Sequence, residues 1–97
     1  MSKNPRIQSL KSEIASVRQS IVTRKKSIQS LKGDKTKIVE RFKGQIARAD
    51  KGDKAKLRDR KKGELENLNW QIEALKRVIE DFRKQIERNR EEIRRCK

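Results

Sequence analysis

Residues 65–96 read LENLNWQIEALKRVIEDFRKQIERNREEIRRC, and their apolar side chains return every seven positions. With Leu65 as position a of a heptad, the a series is Leu65, Ile72, Ile79, Ile86 and Ile93. The d series is Leu68, Leu75, Phe82, Asn89 and Cys96, of which only Asn89 is polar. A 3.5-residue period kept up over this distance is the pattern of a coiled-coil helix with one narrow apolar seam. A second seam lies upstream. Its a series is Ile7, Ile14, Ile21, Ile28, Lys35 and Phe42, and its d series is Leu10, Val17, Arg24, Leu31, Ile38 and Gln45. Nine of these twelve are apolar in a stretch otherwise dominated by polar residues, which argues for a helix and against disorder.

Between the seams stands Ala49-Asp50-Lys51-Gly52-Asp53-Lys54. Gly52 suits a left-handed helix C-cap and Asp53 the N-cap of the next helix, while Asn4-Pro5 reads as N-cap and first helical position. A reversal here makes a demand on the numbering, because partners across an antiparallel seam must add to one constant. They add to 103: Ile7 with Cys96, Leu10 with Ile93, Val17 with Ile86, Ile21 with Phe82, Ile28 with Leu75, Leu31 with Ile72, Ile38 with Leu65, and Ile46 with Leu57. The midpoint of that register, 51.5, falls beside Gly52. The expected fold is all-α, a long antiparallel two-helix coiled-coil hairpin over residues 1–97. Its first helix runs over about 5–50, its turn over about 51–53 and its second helix over about 54–96. The alternative breaks the first helix at Gly33-Asp34, since Lys32-Gly33-Asp34-Lys35 echoes Lys51-Gly52-Asp53-Lys54. The seam passes residue 33 without a phase change, and a helical glycine costs only about 1 kcal/mol, so a local kink fits better than a reversal.

Composition narrows the function. Hydrophobic residues are 31% of the 97 and charged residues 44%, too little apolar material for a globular core. A two-helix seam buries each helix on one side, so self-association or a bound partner is expected to add stability. The net charge is +15, which fits a polyanionic partner: nucleic acid, an anionic membrane or an acidic protein surface. One cysteine allows no internal disulfide. The first residues lack an apolar signal core, no run reaches membrane-spanning length, and Cys96 is not placed for prenylation. A cytoplasmic setting is expected, or an intravirion one if the protein is viral. With no histidine and one cysteine, the residues for metal or nucleophile chemistry are missing, and a bare helix pair offers no cleft to desolvate a substrate. No enzyme activity, cofactor, metal or small-molecule substrate is expected.

The cations are unevenly spread along the chain. Residues 24–62 hold sixteen Lys/Arg against five Asp/Glu, residues 1–23 four against one, and residues 63–97 nine against eight. In the last segment Glu73 precedes Arg77, Glu80 precedes Lys84 and Glu91 precedes Arg95 at i,i+4, the spacing of solvated helix pairs. The turn-proximal half has few such partners. There Lys25, Lys26, Lys32, Lys37, Arg41, Lys43, Arg48 and Lys51 oppose Lys54, Lys56, Arg58, Arg60, Lys61 and Lys62. The seam is poorest in the same region, where Arg24, Lys35, Gln45, Arg58 and Lys61 occupy core positions. Long cationic stems can snorkel from a seam, which is the plainer account of those positions. A surface that grips the phosphate backbone of RNA or DNA is the sharper one, with the better-packed other end of the hairpin expected to join a protein partner or a second copy. Such a grip needs no sequence readout, and no zinc-finger, RNP or recognition-helix pattern is present.

Trp70 falls at position f, opposite the seam, and with Ala74 and Val78 it starts a second small stripe. An exposed Trp in such a place suits a protein interface better than base stacking. The competing functional expectation is therefore a protein–protein partner: an assembly factor, or a small phage-type inhibitor docking on a nucleic-acid-binding machine or an acidic surface. Membrane binding is the weaker third, because the apolar seam is consumed by the partner helix. Phe42 and Phe82 sit on the seam as core residues, Cys96 is a core-edge residue, and Asn89 is expected to set register.

Overall fold

The computed structural model describes residues 4–97. Asn4 opens the first helix as its N-cap: its Oδ1 accepts the Arg6 N–H at 2.9 Å, and its carbonyl oxygen accepts the Gln8 N–H at 3.2 Å. Pro5 follows at the first helical position, where its missing N–H costs nothing. Helix α1 then runs Pro5–Arg48 without interruption, so Gly33 lies inside one continuous 44-residue helix. The alternative three-helix arrangement is thereby excluded.

Two residues, Ala49 and Asp50, make the connection to helix α2, Lys51–Cys96. The turn thus comes slightly earlier than the expected 51–53, and a different aspartate makes the cap. Asp50 Oδ1 accepts the Asp53 N–H at 3.1 Å, and the Asp50 carbonyl accepts the Lys54 N–H at 2.9 Å. Asp53 lies in the first turn of α2, where its carboxylate complements the helix dipole. Gly52 is helical, with no left-handed backbone there or at any other described residue. The expected glycine C-cap is therefore absent; the reversal is set by an Asx cap.

The chain packs as two compact units. One joins the residues up to Lys26 with Leu75–Lys97 (the arm unit); the other is Ser27–Ala74, with the turn (the turn unit). In the arm unit the buried side chains are Leu10, Ile14, Val17, Ile21, Ile79, Ile86 and Asn89, all seam positions. Arg24 leans over the Phe82 ring, its guanidinium carbon 5.0 Å from the ring centre, and donates to the Ser20 carbonyl at 3.3 Å. Asn89 brings an amide into the seam, and among the described residues its Nδ2 finds no acceptor. The two helices of this unit are tied at the surface by Arg6, which donates from Nε and a terminal nitrogen to both Glu92 oxygens at 2.5 and 3.0 Å.

In the turn unit the buried side chains are Ile28, Phe42, Leu68 and Ile72, with Leu31, Ile38, Ile46, Leu57 and Leu65 only half-buried. Across its seam Lys35 Nζ donates to Asn69 Oδ1 at 2.6 Å, and Arg41 reaches Glu64 at 2.6 Å. Their residue numbers add to 104 and 105, close to the constant expected from the heptads. Near the turn the seam shifts. Gln45 and Arg58, expected at core positions, are exposed, and Ile46 and Leu57 take the half-buried places beside them. Arg24, Lys35 and Lys61 stay half-buried, as snorkelling stems do. Among the described residues, no helix is long and apolar enough to cross a membrane.

Candidate nucleic-acid interface

Moving Arg58 out of the seam has a local result. It leaves a groove of about 480 Å³ beside the seam of the turn unit, with Ile46 and Leu65 as apolar floor and Arg58, Lys61 and Lys62 on its rim. Glu66 and Asn69 complete it. Asn69 also holds the Lys35 ammonium, and Lys35 lines a neighbouring shallow depression with Lys32, Thr36 and Val39. These side chains share one side of the unit. Helical spacing brings Lys51 to that side of α2, seven residues before Arg58, and Lys43 to that side of α1, eleven after Lys32.

The opposite side differs. Arg41 precedes the buried Phe42 and so projects to the other flank of α1, where it bonds Glu64 and lies over the Phe42 ring at 4.8 Å. It is committed within the unit, not one of a set of unrelieved cations. Spacing puts Lys37, Arg48, Lys56 and Arg60 toward this flank and the back of the helices, with Asp34 and Asp53 among them.

Twelve of the fourteen cations singled out from the sequence belong to the turn unit; Lys25 and Lys26 belong to the arm unit. Of the twelve, Lys54 and Lys61 are half-buried and the other ten exposed. Among the described residues, no carboxylate lies within 4 Å of Arg58, Lys61 or Lys62. The arm unit behaves differently: Arg83 meets Glu80 at 3.9 Å, Arg90 and Arg94 meet Glu87 at 3.8 and 3.5 Å, and Arg95 meets Glu91 at 4.0 Å. Arg94 also pairs closely with Glu91.

Counted by unit, the charge is distributed unlike its distribution along the chain. Residues 27–74 carry thirteen Lys/Arg against eight Asp/Glu, net +5, and the remainder sixteen against six, net +10. Folding brings Glu64, Glu66 and Glu73 into the unit of the turn and leaves Arg24, Lys25 and Lys26 outside it. The size of its charge does not single out the turn unit; within it, Arg58, Lys61 and Lys62 are grouped on one groove without an ion-pair partner among the described residues.

Trp70 is 75% exposed and Ala74 is exposed with it in the turn unit; Val78, 36% exposed, belongs to the arm unit. Glu66 and Glu73 stand one helical turn to either side of Trp70. Sequence reasoning missed Ile46, Leu65, Glu66 and Asn69 as parts of the groove, and Lys35 in the depression beside it. The available signal was the pairing of Ile46 with Leu57, which already displaces Arg58 from the seam.

No protein-family model matches this chain, and no curated protein sequence and no solved structure proved similar to it. The chemistry of the groove has to be argued from its own residues.

Proposed function

We propose that this protein is a non-enzymatic, cytoplasmic (or intravirion) helical hairpin that binds the phosphate backbone of RNA or DNA through its turn unit, without reading sequence. One observation carries the reading: Arg58, Lys61 and Lys62 converge on one groove, and among the described residues no carboxylate, the groove's own Glu66 included, comes within 4 Å of them. Cations held together and unpaired repel one another, and a polyanion relieves that repulsion while releasing its own counterions. Arg58 offers a fork to two phosphate oxygens and the lysines act as mobile point charges. Ile46 and Leu65 give sugar and base faces an apolar surface without selecting among bases.

If about six phosphates are neutralised, log K falls against log salt with a slope near −5. Reversing charge at Lys54, Arg58 and Lys62 is expected to abolish binding of duplex and single-stranded probes in a filter-binding titration, with helicity by circular dichroism unchanged. Undiminished affinity in that variant would remove the turn unit as the contact.

Trp70 favours a second reading, a protein partner. A large exposed aromatic with Ala74 exposed beside it suits a protein surface. Trp70 is the protein's single tryptophan, so its emission reports this directly. Nucleic acid should leave it unshifted, whereas a protein partner seated there should shift it to the blue.

A further inference from the structure

The larger share of the positive charge lies in the arm unit, and part of it is organised. A groove of about 340 Å³ there has Ile21 and Ile86 at its base, both buried, with Arg18, Lys25, Arg83 and Arg90 around it. The four cations form two rungs. Arg18 pairs diagonally with Arg90 and Lys25 with Arg83; in each pair the residue numbers add to 108, five above the seam constant of 103, an offset of about 7.5 Å of rise that long side chains around one groove can span. The rungs are seven residues, or two helical turns, apart on both helices, which is about 10.5 Å of rise.

Three of the four are arginines, whose planar forks match phosphate oxygens in pairs. Competition inside the protein is weak. Arg18 and Lys25 have no carboxylate within 4 Å among the described residues, and Arg83 and Arg90 meet Glu80 and Glu87 only at 3.9 and 3.8 Å, in pairs whose side chains are all about half exposed. Exposed pairs at such distances contribute little and yield to a better anion. Glu87 is the one carboxylate lining the groove, and it is also drawn away toward Arg94 at 3.5 Å.

We propose that the arm unit holds a second phosphate-binding site, separate from the groove at Arg58, in which the rungs Arg18–Arg90 and Lys25–Arg83 each hold a phosphate group of a nucleic-acid backbone. This rests on the reading of the protein as a nucleic-acid binder, and it assigns that binding a further contact.

The test uses the full chain and three labelled probes: an RNA duplex, a DNA duplex and poly(U). The variant R83Q/R90Q is compared with R77Q/R88Q, which loses the same charge from positions about 120–140° around α2. Both pairs are checked for unchanged helicity. For R83Q/R90Q the expected result is several-fold weaker binding of at least one probe, and a salt slope shallower by about 2 between about 50 and 200 mM. R77Q/R88Q should keep the wild-type slope. As a second readout, Glu87→Gln should tighten binding more than Asp81→Asn, which removes the same charge elsewhere.

If R83Q/R90Q and R77Q/R88Q behave alike, the second site is overturned. A wild-type chain that binds none of the probes overturns the nucleic-acid reading and this site with it. If R58Q/K62Q abolishes binding while R83Q/R90Q matches its control, the turn-unit reading stands and the arm-unit site alone falls.

Discussion

Two side chains in the arm unit carry separable consequences. Arg6 donates to Glu92, and this hydrogen bond, assisted by the charge of the guanidinium, holds the Glu92 carboxyl below the usual carboxylate range. The same bond raises Arg6. Because the folded value of Glu92 lies under the unfolded one, the pair's contribution is present above the ordinary range and is lost as pH falls through the lowered value. Both groups are solvated, so the effect on stability is small, and the clean readout is titration. By NMR, Glu92 should titrate below the ordinary glutamate range, and Arg6→Gln should move it back up. Asn89 acts in the opposite sense. A buried amide donor without an acceptor costs about 1–3 kcal/mol, and an apolar group of similar shape avoids that cost. Asn89→Leu is expected to raise the thermal midpoint by several degrees. An unchanged or lower midpoint would mean that the amide is satisfied in solution, for example by a second copy.

At the scale of helices, the seam was legible and the cap was not. Every buried apolar residue, from Leu10 to Ile86, stands at a heptad position read from the sequence, because a 3.5-residue period over six turns or more leaves little choice of face. The turn depended on single residues, and the pattern pointed to Gly52 as C-cap and Asp53 as N-cap, passing over Asp50. Asp50 prevailed: its side chain and carbonyl take two N–H groups of α2, and Gly52 then continues the helix. Gly52→Ala distinguishes the two assignments. In a helix, with nothing within 4 Å of the added methyl group, it should stabilise by about 0.5–1 kcal/mol in urea unfolding. A left-handed Gly52 would instead make the substitution destabilising by about 1 kcal/mol or more.

For the molecule as a whole, cations outnumber anions twenty-nine to fourteen, so repulsive pairs outweigh the surface bridges. Added salt screens both, and the larger set decides the sign. The thermal midpoint should rise from low to moderate sodium chloride, and a fall would show that bridges such as Arg6–Glu92 dominate. Charge was readable from the sequence as a total but not as a site. Which cations are neutralised depends on carboxylates such as Glu64, distant in the chain from Arg41 until the hairpin closes. The floor of the groove depends on a shift of seam from Arg58 to Leu57 that strict heptad counting passes over. The brevity of the Ala49–Asp50 connection has a consequence for degradation. Trypsin cuts extended chain, and a protein this rich in lysine and arginine gives it abundant sites, but a two-residue link supplies no slack to enter its cleft. Nicking must wait for helix ends to unwind, so the first cuts would map where the hairpin breathes most readily, around the half-buried layers that flank the turn.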